Sequence, residues 1–271
     1  MLDTDHDIAD RYRRDGFVFP IRVMDADHAA ALRTELEAAE ASVRDHKDGQ
    51  QFFREYSNLA LGFVDRLTRD PAVTEPVSKI LGEDLLVLTC GFFIKEPRSP
   101  AYVSWHQDLH YWGLEGDDEV TAWIALSPVT VASGCMRFVP GSHTSIVAHT
   151  DTHHEDNLLT RGQELSVEVD EADAINVELA PGEMSLHHGR LFHASAPNTT
   201  DDRRIGLAIR YIPASMSQID GASMAATLVR GQDRFGHFDL VDGAKGTLGP
   251  EEIAHHAEVS ERRRKTIMRE T

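Results

Sequence analysis

The chain has 271 residues, 41% of them hydrophobic and 27% charged, a composition typical of a globular protein that can bury a sizeable core. Its net charge of −18 disfavours nucleic acid as a partner. No apolar run approaches the roughly 18 residues that a membrane-spanning helix needs, and the acidic N-terminus does not resemble a signal peptide. The only cysteines, Cys90 and Cys135, are too few for a disulfide framework. These features predict a cytoplasmic protein with no membrane contact.

The N-terminal part of the chain, about residues 1–82, is predicted to be a helical scaffold. Asp25 is a plausible N-cap, and the apolar residues from Leu32 to Val43 recur at the spacing of one helix face. The predicted helices cover residues 5–15, 26–43, 58–70 and 72–81, and a short strand covers residues 17–19.

The remainder of the chain is predicted to be rich in short strands separated by turns. The predicted strands cover residues 85–94, 120–126, 135–139, 184–186 and 205–212. Residues 145–174 are polar and acidic, which suggests a lid-like insertion with one strand at 165–169. A helix is expected at 262–269. The pattern favours a single domain over 1–271, mainly β with flanking helices, with the double-stranded β-helix (jelly-roll, cupin-like) architecture.

The stretch V-S-W-H-Q-D-L-H-Y at 103–111 is the most informative in the chain. His106 and Asp108 are two residues apart, so in an extended segment both side chains point to the same face. An imidazole and a carboxylate suit a divalent first-row metal, and a second histidine would complete a facial triad for non-haem Fe(II). The spacing alone is weak, because H-x-D recurs by chance.

Three downstream histidines could supply the third ligand. His187 and His188 are adjacent, so in a strand they face opposite sides and at most one can face the barrel interior. His193 has the opposite parity to His188 if the strand continues, but Gly189 could break that phase. Parity therefore leaves the choice open.

Four segments, taken together, resemble the phytanoyl-CoA dioxygenase family of Fe(II)/2-oxoglutarate oxygenases. They are H-Q-D-L-H-Y at 106–111, A-W-I-A-L at 122–126, G-C-M-R-F-V-P-G-S-H at 134–143, and H-A-S-A-P-N at 193–198, which is followed by Arg204. They occur in order and at family-like spacing over roughly residues 90–215.

The resemblance implies that His106, Asp108 and His193 bind Fe(II). It also implies that Arg204, eleven residues after His193, binds the distal carboxylate of 2-oxoglutarate, since a guanidinium makes bidentate contacts that lysine cannot copy. Arg203 is expected to face the surface. Halogenating relatives replace the carboxylate ligand with a small residue, so the presence of Asp108 implies oxygenation.

Other residues match family positions less specifically. Trp123, Gln107, Phe92 and Ser195 are predicted to contact the cosubstrate, although Trp123 and Phe92 also suit an ordinary apolar core. His110 and Trp112 follow the metal motif and could contact the substrate.

The resemblance thus implies a dioxygenase that oxidises a small soluble metabolite, normally by hydroxylation. It would use Fe(II), O2 and 2-oxoglutarate, with ascorbate as a supporting reductant in vitro, and would release succinate and CO2. Two alternatives remain open. A cupin-like isomerase or lyase could use the same triad without 2-oxoglutarate, but Arg204 argues against it. A non-catalytic jelly roll that binds a small molecule would not need the triad. The sequence specifies neither the substrate nor the oligomeric state.

Overall fold

The strands and helices are described here from a computed structural model, which covers residues 5–152, 154, 156–159, 163–219 and 224–267. The helices are α1 (Asp5–Asp15), α2 (Ala26–Ser42), α3 (Gln51–Arg54), α4 (Ser57–Ala60), α5 (Gly62–Thr68), α6 (Pro71–Leu81) and α7 (Pro250–Ile267). The strands are β1 (Phe17–Arg22), β2 (Leu85–Lys95), β3 (Val103–His106), β4 (Val120–Ala125), β5 (Met136–Phe138), β6 (His149–Asp151), β7 (Gln163–Leu165), β8 (Ile175–Val177), β9 (Glu183–His187), β10 (His193–Ser195), β11 (Arg204–Pro213), β12 (Ala225–Arg230) and β13 (Asp239–Leu240).

The chain divides into two compact units, each assembled from three stretches. Unit 1 comprises Met1–Ala30, Phe93–Trp112 and Trp123–Gly206, and unit 2 comprises Ala31–Phe92, Gly113–Ala122 and Leu207–Thr271. The strands β2, β4 and β11 each run from one unit into the other along the chain. The organisation of 1–271 as a single domain stays a prediction.

Unit 1 contains the smaller sheets. One sheet has the order β3-β10-β5-β8, and all three of its strand pairs are antiparallel. The strands β6 and β7 form a separate antiparallel ribbon within the predicted insertion 145–174. The role of that insertion as a lid stays a prediction.

A seven-stranded sheet has the order β1-β9-β4-β11-β2-β12-β13. In unit 1, β1 pairs antiparallel with β9, with Phe17 opposite His187. In unit 2, β2 pairs antiparallel with β12, which is joined in parallel by β13. Residues Leu85 to Gly91 of β2 are all buried, as the continuous apolar run predicts. The predicted mainly β fold with flanking helices is confirmed.

The N-terminal helices follow the sequence signals closely. Asp25 caps α2 by accepting a hydrogen bond from the His28 backbone N–H at 2.8 Å, and Leu32 and Leu36 are buried on one face. Asp70 caps α6 in the same way, accepting from the Ala72 N–H at 2.9 Å. None of the described helices is long and apolar enough to cross a membrane.

Three predicted elements are wrong in their bounds. The helix predicted over 58–70 is divided at Leu61, whose backbone is extended and forms a β-bridge with Thr247. The strand predicted over 165–169 instead covers Gln163–Leu165, because its pairing partner is β6. The C-terminal helix begins at Pro250, twelve residues before the predicted start. In the first two cases the bounds depend on backbone pairing with a residue elsewhere in the sequence. No local sequence pattern predicts that pairing.

We predict that Gly206→Ala destabilises the fold, because a Cβ at this position would lie 1.8 Å from Cζ2 of Trp123. Overpacking of this kind costs roughly 1–3 kcal/mol, which should lower the melting temperature by several degrees. Calorimetry and the near-UV circular dichroism of tryptophan should report the change. The control is Gly116→Ala, where the nearest atom is the Met216 sulfur at 3.3 Å. An unchanged melting temperature for Gly206→Ala would contradict the close packing described here.

Candidate metal and cosubstrate site

Three side chains predicted as metal ligands come together in unit 1. His106 ends β3, His193 opens β10, and the two residues are directly opposite each other in the antiparallel pair. One donor atom from each of His106, Asp108 and His193 lies within 4.8 Å of the others. The His106 Nε2 is 3.2 Å from an Asp108 carboxylate oxygen, and the two imidazole centroids are 3.9 Å apart.

The backbone conformation at Asp108 differs from the prediction. It begins a short 3₁₀ turn, Asp108–Tyr111, rather than continuing the strand. Gln107 between the two ligands is still extended, with φ −122° and ψ 134°. Because the convergence of residues i and i+2 needs only the intervening residue to be extended, the carboxylate and the imidazole still meet.

Backbone carbonyls orient both imidazoles for metal binding. The Nδ1 of His106 is 2.9 Å from the Ser104 carbonyl oxygen and 3.1 Å from that of His193. The Nδ1 of His193 is 2.9 Å from the Leu191 carbonyl oxygen. A carbonyl only accepts, so in the neutral imidazole Nδ1 carries the proton and Nε2 is the nitrogen that can bind a metal. This second set of contacts is what a metal-binding histidine requires, and the two imidazoles with one carboxylate fit Fe(II).

The two other histidines occupy different surroundings. His187 is buried on β9, with its ring centroid 5.0 Å from that of His193 and 5.1 Å from that of Phe138. His188 lies beside His143, with centroids 5.4 Å apart, and its Nδ1 accepts from the Arg190 N–H at 3.0 Å. The adjacent histidines therefore diverge, as strand alternation predicts. The structure brings His193, and not His188, to the His106–Asp108 pair.

Arg204 is a buried cation without an anionic partner in the described part of the chain. Its side chain is 1% exposed, and its guanidinium lies 5.3 Å from the Trp123 ring centroid. Its Nε is buried with no hydrogen-bond partner among the described residues, and no carboxylate there forms an ion pair with it. Burial lowers the pKa of Arg204 to about 10, so the group remains charged at neutral pH. Leaving such a charge unpaired costs several kcal/mol, and the surroundings therefore fit an anionic ligand.

The neighbouring Arg203 is satisfied by a protein partner. Its guanidinium donates to both carboxylate oxygens of Glu96, with distances of 2.9 to 3.2 Å. The Glu96 side chain is 61% exposed, so this ion pair lies towards solvent. The two successive arginines thus have opposite environments, as the strand alternation predicted.

A buried lysine was not anticipated from the sequence. Lys95 ends β2 and is 0% exposed, and its Nζ donates to the carbonyl oxygen of Ser195 at 3.2 Å and to the Ser195 Oγ at 2.7 Å. It also donates to the carbonyl oxygen of Ala196. A lysine at the end of an apolar strand usually extends to solvent, so the sequence carried no signal for this contact.

Gln107 uses its side chain to hold the start of the insertion. The amide Nε2 donates to the Ser145 carbonyl at 2.7 Å and to the Arg190 carbonyl at 2.5 Å, and Oε1 accepts from the Val147 N–H at 3.1 Å. The Gln107 N–H also donates to His149 Nε2 at 3.0 Å. Its predicted contact with the cosubstrate stays a prediction.

The other predicted contact residues are placed as follows. Trp123 is buried in β4 against Arg204, and the Ser195 hydroxyl accepts from Lys95. Phe92 is buried in β2, with its ring centroid 6.5 Å from that of Phe63. Trp112 is half-buried after the 3₁₀ turn, whereas the side chain of His110 lies outside what the structure describes. The roles of these residues stay predictions.

Comparison with protein families gives one match that covers most of the chain. The family described as phytanoyl-CoA dioxygenase (PhyH) matches residues 12–206, a stretch that contains the triad and Arg204. Among curated proteins, the chain is 31% identical over 167 residues to a probable alpha-ketoglutarate-dependent hypophosphite dioxygenase of Stutzerimonas stutzeri, covering 59% of this chain and 56% of that protein. It is 23% identical over 183 residues to the peroxisomal phytanoyl-CoA dioxygenase of Homo sapiens, covering 66% and 51%. The chain thus spans about half the length of these curated relatives.

Solved structures match along almost the whole chain. The apo form of the non-haem monooxygenase ThoJ has 33% identity and a TM-score of 0.88, covering 97% of this chain and 98% of that one. CytC3 with Fe(II) and alpha-ketoglutarate has 20% identity and a TM-score of 0.67, covering 90% and 96%; at that identity it shows the fold alone. The predicted jelly-roll fold and the predicted family resemblance are both confirmed.

We predict that His193→Ala loses Fe(II) binding, whereas His188→Ala keeps it. Among the described residues, His193 and not His188 offers a donor atom within 4.8 Å of those of His106 and Asp108. Removing one of three protein donors should weaken binding by about 100-fold or more, since removal of a merely orienting contact already costs 10–100-fold. Anaerobic titration with Fe(II), followed by the charge-transfer absorption that appears with 2-oxoglutarate, measures this. Loss of the band only in the His188 variant would overturn the choice of ligand.

Proposed function

Since the chain belongs to the phytanoyl-CoA dioxygenase family, we propose that it is an Fe(II)- and 2-oxoglutarate-dependent dioxygenase that hydroxylates or otherwise oxidises a small soluble metabolite. The observation that carries the proposal is the combination of the His106–Asp108–His193 donors with the buried guanidinium of Arg204, whose Nε has no hydrogen-bond partner among the described residues. A metal site alone would suit several chemistries. A buried cation in the same unit adds a requirement for an anionic cosubstrate.

The residues of the chain would divide the work between holding the metal and holding the cosubstrate. His106, Asp108 and His193 would bind Fe(II), and the Ser104, His193 and Leu191 carbonyls keep the two imidazoles in the binding tautomer. Arg204 would bind the distal carboxylate through charge-assisted hydrogen bonds, with the Trp123 ring beside its guanidinium. When bound, iron and 2-oxoglutarate supply the oxidative chemistry, in which O2 is consumed and succinate and CO2 are released. Ascorbate would keep the iron reduced in vitro.

A small metabolite is the substrate class that the charges favour. The protein carries a net charge of −18, and two arginines near the candidate ligands are paired with acids of the chain: Arg137 pairs with Glu171 at 2.9 Å, and Arg203 pairs with Glu96. A substrate with several phosphate groups would need cations that are available to it. A small molecule with little negative charge does not need such cations.

The first test of the function removes the carboxylate ligand. Asp108→Ala should lose most of its affinity for iron and all substrate-dependent turnover of 2-oxoglutarate, because it removes one of the three candidate donors and leaves the two imidazoles. Succinate formation across a metabolite screen, under Fe(II), ascorbate and O2, is the measurement, and circular dichroism controls for folding. A fully active variant would rule out the assignment. Turnover of a substrate by the wild type with no release of succinate would instead favour an isomerase or lyase.

The second test concerns the cosubstrate. Arg204→Met should weaken 2-oxoglutarate binding by roughly 100-fold or more, since breaking a buried charge contact costs about 2–5 kcal/mol. The matched control, Arg203→Met, removes the pair with the exposed Glu96 and should change the affinity little. Calorimetric titration of both variants with 2-oxoglutarate decides the matter. A large effect in the Arg203 variant and none in the Arg204 variant would mean that the two arginines have been assigned the wrong way round.

A further inference from the structure

The insertion 145–174 attaches to the free side of β3, the strand that ends in a candidate metal ligand. Among the described strands, the order β3-β10-β5-β8 places β3 at the edge of its sheet. Directly before β3, the Tyr102 N–H donates to the Asp156 carbonyl at 2.9 Å, and the Leu158 N–H donates to the Tyr102 carbonyl at 2.9 Å. Tyr102 therefore forms a parallel β-bridge with Asn157, and the main chain of the insertion is joined to the start of β3.

Asn157 is the only buried residue among the described residues of the insertion. It is 8% exposed, whereas the others are half-buried or exposed. Its Nδ2 donates to the Ser104 Oγ at 2.7 Å, and its Oδ1 accepts from the Leu159 N–H at 3.1 Å. An amide whose donor and acceptor groups are both engaged is held in one orientation. The one buried side chain of this polar segment is therefore directed at β3, and it contacts β3 through a hydrogen bond.

Ser104 connects this contact to the candidate metal ligands. Ser104 and His106 are two residues apart on β3, so their side chains point to the same face of the strand. The Ser104 carbonyl oxygen is also 2.9 Å from the His106 Nδ1. Two hydrogen bonds thus lead from the insertion to a candidate ligand, the first from Asn157 to Ser104 and the second between Ser104 and His106.

The backbone bridge before β3 already attaches the insertion, so attachment alone does not account for a buried amide at Ser104. We propose that Asn157 is a positioning residue of the metal site. By holding Ser104, it keeps the Ser104 carbonyl against the His106 Nδ1, and the His106 Nε2 stays directed at the other two donors. This inference rests on the proposed function, and it gives the insertion a part in metal binding in addition to its predicted role as a lid.

The test measures Fe(II) binding to single and double variants by anaerobic titration with 2-oxoglutarate present, followed by the charge-transfer absorption. Asn157→Ala removes the amide, and Ser104→Ala removes the hydroxyl but keeps the backbone carbonyl. Each variant should bind Fe(II) about tenfold more weakly, at the lower end of the 10–100-fold range for contacts that orient a ligand. Because the two side chains share one hydrogen bond, the double variant should also lose about tenfold, and not the roughly 100-fold expected of independent sites.

A control variant and thermal unfolding separate this role from a purely structural one. Ser166→Ala removes a contact within the insertion itself, where the hydroxyls of the exposed Thr150 and Ser166 are 3.0 Å apart, and it should bind Fe(II) as the wild type does. A purely structural contact would lower the melting temperature of Asn157→Ala and leave the Fe(II) affinity of the folded protein unchanged. Ser104→Ala keeps the contact of Asn157 with Leu159, so it decides the matter if Asn157→Ala does not fold.

The outcomes distinguish this inference from the proposed function. If the wild type binds Fe(II), then an unchanged affinity in Ser104→Ala, or losses that multiply in the double variant, would overturn the inference alone. A wild type that binds no Fe(II) would reject the proposed function as well.

Discussion

The antiparallel pairing of β3 with β10 is the constraint on which the candidate site depends. It sets His193 directly opposite His106, and a slip of one residue would turn one of the two rings to the other face of the sheet. The strand β10 is fixed on its second edge by β5 as well. The Nδ1 of His106 reaches the carbonyl of His193 itself, so the pairing that brings the rings together also helps to fix the tautomer of His106. The donor geometry is therefore a property of the sheet more than of any one side chain.

The net charge of the whole chain and the local charge around Arg204 have opposite signs. The whole chain is strongly acidic, yet the buried ionic groups around Arg204 are cationic and have no acidic partner among the described residues. In water the long-range field is screened within about 10 Å at 0.1 M ionic strength, whereas a buried cation is hardly screened. Local charge would therefore decide which ligands bind, and an overall negative charge does not prevent recognition of an anion.

Much of the fold and of the site was predictable because the signals were local. The spacing of His106 and Asp108 predicted their convergence, and alternation predicted that Arg203 and Arg204 would have different environments. Lys95 was missed because its burial depends on oxygen atoms of Ser195 and Ala196, which are a hundred residues away in sequence. The predicted bounds of β7 are wrong for the same reason, because this strand is defined by its pairing with β6. Local periodicity predicts which residues are buried and which segments are extended. It cannot predict which distant segment of the backbone supplies their hydrogen-bond partners.

The attachment of residues 145–147 to the segment that carries His106 and Asp108 has a consequence for how such a protein can diverge. Gln107 holds that segment through the main-chain groups of Ser145 and Val147, which every sequence other than proline at the donor position can supply. Side chains in the segment can change without breaking this attachment, while Gln107 stays fixed between His106 and Asp108. Substitutions can therefore accumulate in this part of the insertion while His106 and Asp108 keep their geometry, so these two neighbouring parts of the chain can evolve at different rates.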